Sequence, residues 1–219
     1  MKKTKSLYHG HRFPAVIISC AVRWYFRFSL SLRDVEELLL ERGVVVTYET
    51  IRFCCDKFGA GFAQCAKAAR CAVDEHGAEL DVLVQKRRDK ASAKRFFRMV
   101  LRSNPVPRKI VADQLRSYPA AEADIPELAH VKHVFVKAAA RVNNRAKNSH
   151  QPTRRRERQM CGFRDPRRTQ AFLSCFGVIR QHFALPRHQM NAACHRAALQ
   201  RRFVTWHGWT VTAAGDKAI

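Results

Sequence analysis

A dense group of cationic side chains lies between Arg141 and Arg168. Ten residues in this stretch are lysine or arginine, against two acids, Glu157 and Asp165. The ten are Arg141, Arg145, Lys147, Arg154, Arg155, Arg156, Arg158, Arg164, Arg167 and Arg168. Ammonium and guanidinium groups at this density can bind the phosphates of a nucleic acid. A run of charge is often only a solvated face, but the polar Asn, Ser and His residues within 143–150 favour phosphate contact.

The whole chain shares this basic character. It has 41 Lys and Arg against 18 Asp and Glu, which gives a formal net charge of +23 and a pI near 10.5. Such an excess repels itself unless an anionic partner neutralises it, and nucleic acid is the commonest such partner. An anionic membrane surface is the alternative, but proteins that bind one usually gather their charge in one short tract or helix. Here the charge runs through the chain, so we expect double-stranded DNA as the partner and no membrane.

The sequence also indicates where the protein resides. The apolar run from Pro14 to Val22 is short and ends at Arg23, with Arg27 four residues on, which suits an amphipathic helix better than a signal peptide. No apolar stretch approaches the length that spans a bilayer. The eight cysteines include no C-x-x-C pair, and no histidines follow them at zinc-finger spacing. We therefore expect a cytosolic protein with reduced, mostly buried thiols.

Residues 14–59 are predicted to form three helices. Ser31 is suited to cap the second helix, with Asp34 three residues on in a variant of the capping box. Gly43 is suited to end that helix at its C′ position. Two short helices joined by a turn that contains glycine, with a preceding helix to pack against, form the helix-turn-helix arrangement.

The third of these helices would enter the major groove of DNA. We predict that Thr47 caps it, that it runs through Phe58 and that Gly59 closes it. The residues expected to face outward are Tyr48, Glu49 and Arg52. The residues expected to face inward are Ile51, Cys55 and Phe58. A small helical bundle without DNA contact is the alternative, and the basic charge makes it less favoured.

The pattern after this region is typical of an α/β domain. The predicted elements are, in order, a helical linker over residues 60–70, a hairpin over 72–84, a helix over 90–102 capped by Asp89, strands over 109–112 and 131–136, and a basic helical region from about Asn143. On the helix, the residues expected to face inward are Ala93, Phe96, Phe97, Val100 and Leu101. The strand over 109–112 ends at Asp113, and an acid at a strand's end is in keeping with an α/β site.

Short motifs spread along the chain carry a family resemblance. The first group is Ala21–Tyr25 and Leu32–Glu37. The second group is Ala72–Asp74 with Gly77, Arg88–Asp89, Ala93 and Arg95–Phe97. The third group is Asp113–Tyr118, Asn143–Ala146, Arg154–Arg158 and Gly162–Phe163. Together they resemble the DDE-type transposases of bacterial insertion sequences, in insertion sequence family six. The resemblance covers nearly the whole chain and is specific as a set, although no single motif is.

The resemblance implies a fold, a reaction and a partner. The fold would be an α-rich α/β architecture with a helix-turn-helix domain over residues 1–60, a linker over 61–71, an RNase H-like core over 72–205 and a tail over 206–219. The first domain would bind the terminal inverted repeats of the element. The core would carry two aspartates and a glutamate that hold two Mg²⁺ ions, which prefer hard anionic oxygens, for phosphoryl transfer during DNA transposition. The family also implies a bacterial cytoplasmic protein associated with the nucleoid, and a homo-oligomer is left open.

The metal-binding triad implied by the family is incomplete in this sequence. Asp113 matches the second aspartate, but Lys147 occupies the position of the glutamate. An ammonium there repels the metals, on the order of 4 kcal/mol per pair of unit charges about 4 Å apart at an effective dielectric of 20. The segment of the first aspartate is missing, as if deleted, because the linker runs directly into Cys71-Ala72-Val73-Asp74. The motifs that follow align Asp74 with a hairpin turn, where Asp is common, and we favour that role over a catalytic one.

Other positions also depart from the family pattern. Phe53 and Cys54 stand in the third helix where the family tends to have Arg and Trp. Cys71 and Cys161 stand where arginine is usual. The sequence therefore resembles a decayed, internally deleted copy.

Three hypotheses about function follow. The first is a transposase by descent that binds DNA but does not cut or join it, with Mg²⁺ not productively held by Asp113. Its predicted DNA-binding residues are Tyr48, Glu49, Arg52, Arg145, Arg154, Arg155, Arg156 and Arg158. The second is a non-catalytic DNA-binding regulator that occupies element ends or inhibits an intact transposase. The third is an active nuclease with a rearranged set of acids around Asp113, drawn from Asp74, Glu79 and Asp81.

Overall fold

The computed structural model describes residues 6–68, 83–84, 89–112, 117–135, 151–185 and 187–212. The α-helices are α1 (Ala15–Arg27), α2 (Leu32–Leu40), α3 (Tyr48–Ala68), α4 (Lys90–Leu101), α5 (Ser117–Glu122), α6 (residues 151–159), α7 (Pro166–His182) and α8 (Ala192–His207). The strands are β1 (Lys109–Ala112) and β2 (Lys132–Phe135). Short 3-10 turns lie at Pro126–Leu128 and Arg187–Gln189, and a π-helical turn at Gly208–Thr212. In the described ranges the fold is thus the α-rich α/β class that the sequence predicts.

The chain forms two compact units. The helical unit comprises Met1–Ala69 together with Ala171–Ile219, and the central unit comprises Arg70–Gln170. This division differs from the predicted domains, which were continuous in sequence, because residues from 171 onward join the N-terminal helices. None of the helices within the described ranges is both long and apolar enough to cross a membrane.

The three predicted N-terminal helices are confirmed, and local signals end them as expected. The side chain of Ser31 accepts a hydrogen bond from the Asp34 amide at 3.1 Å, and the Asp34 carboxylate accepts one from the Ser31 amide at 2.7 Å. Gly43 has a φ of 74°, in the left-handed region, after α2. The amides of Gly43 and Val44 donate back to the carbonyls of Leu40 and Leu39 at 2.8 and 2.9 Å. This pattern is a Schellman C-cap, which satisfies the last carbonyls of the helix.

The prediction that Gly59 closes the third helix is wrong. Helix α3 continues through Gly59 and Gly61 to Ala68, so most of the predicted linker is helical and continuous with it. Gly59 serves close packing instead. A Cβ placed there would lie 2.9 Å from Cε2 of Phe26 and 3.5 Å from Sγ of Cys175, so only a hydrogen fits beneath the Phe26 ring.

The two glycines of α3 therefore offer a matched pair of substitutions. Gly61→Ala meets no atom within 4 Å of the new Cβ, and it should raise the free energy of unfolding by about 0.5 to 1 kcal/mol through helix propensity. Gly59→Ala gains the same propensity but pushes on Phe26, and we expect a net loss of about 1 kcal/mol or more. Urea unfolding followed by circular dichroism measures both. Equal stabilisation by the two changes would show that the Phe26 contact does not constrain this position.

A buried polar network joins the N- and C-terminal segments of the helical unit. The indole Nε1 of Trp206 donates to Ser19 Oγ at 2.8 Å, and Ser19 Oγ lies 2.6 Å from Thr210 Oγ1. The Tyr8 hydroxyl donates to the carbonyl of Thr210. Burial, followed by the nearby Cys54 thiol, raises the pKa of Tyr8 well above its ordinary value, so the phenol stays protonated. Trp206 is 2% exposed and meets the Phe62 ring edge-on, with the centroids 5.6 Å apart.

The central unit is built around a small apolar core. Helix α4 begins as predicted, with the Asp89 carboxylate accepting from the Ser92 amide at 2.8 Å. Its inward face packs against α5 and the 3-10 turn after it. The buried residues of this core are Ala93, Phe97, Ala121, Ile125 and Leu128. Phe96 and Leu101, also predicted to face inward, pack against it.

Strands β1 and β2 form a parallel pair, with Lys109 opposite Lys132 and Ala112 opposite Phe135. Both strands lie where the sequence predicts them, and the connection between them carries α5. His133 on β2 is hydrogen-bonded through Nδ1 to the Glu122 carboxylate at 2.7 Å, which ties the strand to α5. Except for residues 83–84, the predicted hairpin over 72–84 lies outside the described residues.

None of the seven cysteines of the described ranges belongs to a disulfide. Three are buried (Cys54, Cys55 and Cys175), Cys20 and Cys65 are half-buried, and Cys161 and Cys194 are exposed. Burial raises the pKa of Cys175 to about 11, so this thiol is protonated at neutral pH. The prediction of mostly buried thiols holds in full for only three of these seven residues.

Candidate nucleic-acid interface

The start of α3 presents a cluster of polar side chains. Thr47 caps the helix, its Oγ1 accepting from the Thr50 amide at 3.4 Å. Of the residues predicted to face outward, Glu49 and Arg52 are exposed and Tyr48 is half-buried. Two guanidinium groups lie over the Tyr48 ring, with Cζ of Arg33 and of Arg52 at 5.4 and 5.5 Å from its centroid. These two planar cations limit the movement of the ring, and both charges lie near the helix N-terminus.

The hydroxyl of Tyr48 is tied to its neighbour. A hydrogen bond to the Glu49 carboxylate, followed by the negative charge of that group, raises the pKa of Tyr48 above its ordinary value. The phenol therefore stays neutral at physiological pH. The corner offers two guanidinium donors, one carboxylate acceptor and one aromatic face, a mixed set that suits contact with base edges as well as phosphates.

The next turn of α3 carries an exposed aromatic residue. Phe53 is 55% exposed, whereas its neighbour Cys54 is buried at 5%. Lys57 Nζ lies 5.7 Å from the centroid of the Phe53 ring and 2.8 Å from Nε2 of His11. Desolvation and then the Lys57 charge lower the pKa of His11, so the neutral imidazole accepts the hydrogen bond from Lys57. His11, Lys57 and Arg33 were not among the residues that the sequence predicted for this face. The four-residue spacing from Phe53 could have indicated Lys57, but no local signal indicates His11.

Charge is distributed unevenly within the helical unit. Residues 6–68 carry eight Lys or Arg against six Asp or Glu, so the N-terminal helices are close to neutral. Residues 171–212 carry five arginines and no acid. Within these two ranges the net charge is +2 for the N-terminal helices and +5 for the C-terminal segment.

The basic tract of the central unit is largely solvent-facing. Of the arginines predicted to bind DNA here, Arg154, Arg155 and Arg158 on α6 are exposed. Arg164, Arg167 and Arg168 are exposed as well. The structure departs from the prediction at Arg156, which is only 2% exposed. A guanidinium removed from solvent to this degree does not reach a DNA phosphate without a rearrangement, so Arg156 is a structural residue in this conformation.

Asp165, one of the two acids of the tract, has a local role. Its Oδ1 accepts from the amides of Arg167 at 2.8 Å and Arg168 at 3.2 Å, at the start of α7. These backbone hydrogen bonds, first that of Arg168 and then that of Arg167, lower the pKa of the Asp165 carboxyl. The acid thus stabilises a helix N-terminus, and its Oδ2 also lies 3.9 Å from Nε of the exposed Arg168.

The positions that the resemblance implies for the metal site are Asp113, Lys147 and, as a weak candidate, Asp74, and all three lie outside the described residues. Arg145, which was predicted to bind DNA, lies outside them as well. Strand β1 ends at Ala112, so Asp113 is the next residue of the chain after its carboxyl end. Among the residues that the structure does describe, no three His, Cys, Asp or Glu side chains converge in a group that could hold a metal ion.

Part of the chain is similar in sequence to known proteins. A family described as a DDE domain matches residues 70–185, which is more than half of the chain. The transposase for the insertion sequence-like element IS431mec of Staphylococcus aureus strain Mu50 is 28% identical over 138 residues, covering 52% of this chain and 62% of the relative. The transposase for insertion sequence element IS257 in transposon Tn4003 of Staphylococcus aureus is 27% identical with the same coverage. The match therefore spans less than two thirds of these relatives. No solved structure matches the chain.

Proposed function

The chain belongs to the family of DDE-type insertion-sequence transposases, and we propose that it is a transposase by descent that binds the DNA ends of its element but no longer catalyses transposition. The observation that carries the catalytic part of this proposal is Lys147 at the position of the glutamate ligand. The exposed arginines and the helices α1 to α3 support the DNA-binding part.

The donor set does not fit the metal ions that the family implies. The DDE domain implies dependence on divalent metal, which is held by carboxylate oxygens. Of the three ligand positions, this chain offers Asp113, the ammonium of Lys147, and no clear counterpart for the first aspartate. One carboxylate and one cation do not form a two-metal site, so no step of the proposed function passes through bound Mg²⁺.

The lengths of the aligned segments support the proposal that a piece of the chain is missing. The alignment with the IS431mec transposase has 138 positions but covers 52% of this chain, or about 114 residues. About 24 positions therefore have no counterpart here, enough for a strand with its turn. A deletion of this kind near the junction of Arg70 and Cys71 would remove the first aspartate together with its strand.

The N-terminal helices support recognition of DNA ends by a helix-turn-helix. Helix α2, the turn that contains Gly43, and α3 follow one another with α1 packed against both. In this arrangement the second helix of the pair lies in the major groove with its N-terminal residues at the base edges. Glu49 and Arg52 are exposed at that end of α3, with Tyr48 held beside them. We propose that these three residues contact the terminal inverted repeats.

We propose that the exposed arginines of α6 bind the phosphate backbone, and salt dependence tests this. Arg154, Arg155 and Arg158 changed together to Gln should lower the slope of log affinity for duplex DNA against log salt by about 3, because each neutralised phosphate releases about one counterion. Fluorescence anisotropy with a labelled duplex at several salt concentrations gives the slope.

A matched control comes from the same unit. Arg95 and Arg98 on α4 and Arg102 directly after it are also exposed, so changing them to Gln removes the same charge from outside the tract. We expect a smaller change in slope for this control. Equal slopes for both triple variants would mean that the tract is only a solvated face. Failure of the unmodified protein to bind duplex DNA at low salt would overturn the proposed function itself.

A further inference from the structure

The outward face of α3 has an apolar centre that the proposed contacts do not use. Phe53 is 55% exposed. Four charged residues lie one, three or four positions from it along the helix, and all four are exposed. They are Glu49, Arg52, Asp56 and Lys57. The ring thus stands among charged side chains on the solvent side of the helix that would enter the major groove.

The ring is also held in place from one side. Lys57 lies over it at 5.7 Å, and the His11 ring lies 5.9 Å away between centroids. Lys57 and His11 are themselves joined at 2.8 Å. A residue from the segment before α1 therefore supports the side chain on α3, and the ring is positioned rather than free to fold back on the helix.

The charges around Phe53 indicate what kind of surface fits this face. Two cations and two acids are exposed there, so the face carries no net charge and does not suit a row of phosphates alone. Base edges in the major groove offer donors, acceptors and one apolar group, the C5-methyl of thymine. An isolated exposed aromatic residue with charges on every side is too small a patch for a stable protein interface.

We propose that Phe53 packs against the C5-methyl group of a thymine in the major groove and gives the chain a preference for thymine at that position. The proposal rests on the proposed function, because it requires α3 to lie in the groove. It assigns a specificity-determining role to a side chain that makes no hydrogen bond. It also explains why a large apolar side chain stays exposed on this face although its neighbour Cys54 is buried.

A cycle of paired changes in protein and DNA tests the contact. Duplexes that the unmodified protein enriches from a random-sequence pool serve as the probe. Each thymine of the enriched sequence is replaced in turn by deoxyuridine, which lacks only the methyl group. At one position we expect affinity to fall by about fourfold, the effect of one buried methyl group. Phe53→Ala should lower affinity for the thymine duplex by a similar factor or more and be insensitive to deoxyuridine at that position, because the two changes remove the same contact.

The controls separate the possible failures. Phe28→Ala removes an aromatic ring that is 42% exposed at the end of α1, and it should leave the response to deoxyuridine as in the unmodified protein. Phe53→Leu keeps an apolar side chain and should retain part of the response. If every enriched site tolerates deoxyuridine, or if Phe53→Ala responds to it as the unmodified protein does, the contact does not exist. Binding without any enriched sequence would instead overturn recognition of DNA ends, and the present inference with it.

Discussion

No Mg²⁺-dependent cleavage or strand transfer is expected from the purified protein on duplexes that carry the ends of its element, and Lys147→Glu alone should not change this. In the proposed assignment, only Asp113 corresponds to one of the three carboxylates that the family resemblance implies around its metals. Each ion of a two-metal site needs several oxygen ligands, which one carboxylate does not supply. The ammonium of Lys147 would add a repulsion on the order of 4 kcal/mol per pair of unit charges about 4 Å apart at an effective dielectric of 20, and more for a divalent ion.

The prediction also states which variants should regain cleavage activity. Lys147→Glu restores one ligand but leaves the first aspartate missing, so product should stay below detection. Lys147→Glu combined with the segment that an intact relative carries at the junction of Arg70 and Cys71 provides all three carboxylates. That variant is the one for which we expect cleavage, measured on a labelled duplex in Mg²⁺ and in Mn²⁺.

An opposite outcome is easily recognised. Clear Mg²⁺-dependent product from the unmodified chain, lost in Asp113→Ala, would contradict the defective-copy proposal. Asp74 would then be the first residue to test as a ligand, followed by Glu79 and Asp81. Asp113→Ala also serves as the control for a contaminating nuclease, since such an activity would survive it. DNA binding at low salt must be retained in every variant for the comparison to hold.

The parts of the fold that the sequence predicts well depend on residues close together in the chain. The Ser31 cap and its partner Asp34 are three residues apart, and the turn at Gly43 bonds back to carbonyls of the preceding helical turn. The Asp89 cap and strand β1 are equally local. In each case the residues that decide the structure are visible in one short window.

The error at Gly59 has a different origin. Glycine after an apolar helical run is typical of a helix end, and Gly43 obeys that rule. Gly59 is instead required by the Phe26 ring and the Cys175 sulfur, which approach it from distant parts of the chain. No pattern around Gly59 distinguishes a glycine that ends a helix from one that admits a neighbouring ring.

The sequence could have separated Arg156 from the other arginines of α6, although it could not have predicted how deeply Arg156 is buried. Two residues along an α-helix turn by about 200°, so Arg154 and Arg156 cannot share a face, whereas Arg154 and Arg158 can. The spacing therefore separates Arg156 from the other two. Its burial at 2% exposure depends on tertiary contacts that composition does not reveal.

The contribution of the C-terminal segment to the helical unit was not predicted at all. The hydrogen bond from Trp206 to Ser19 spans 187 residues of sequence, and that between Ser19 and Thr210 spans 191. Serine, threonine and tryptophan carry no pairing signal over such a distance. The sequence alone thus suggested an independent domain over residues 1–60. In the structure the turn after α8 packs against α1 and α3, and Trp206 of α8 contacts Ser19 and Phe62.

Trp206→Ala should therefore destabilise the N-terminal helices by about 3 to 5 kcal/mol, although it lies far from them in the sequence. Trp206 is 2% exposed, and its ring contacts those of Phe62 and Phe183 at 5.6 and 5.5 Å between centroids. Removing the indole leaves a cavity at these contacts and deletes the donor to Ser19. Urea unfolding followed by the helical signal in circular dichroism measures the loss.

Two further variants identify the cause of this loss. Trp206→Phe keeps most of the apolar volume but lacks the Nε1 donor, so it should cost about 1 kcal/mol, the net value of a typical hydrogen bond. Val204→Ala changes a residue on the same helix that is 68% exposed, and it should stay within about 0.5 kcal/mol of the unmodified protein. Should Trp206→Ala be no more damaging than Val204→Ala, helices α1 to α3 would be stable without the C-terminal segment. The expected result instead makes α3, and with it the proposed DNA recognition, dependent on residues of the C-terminal segment.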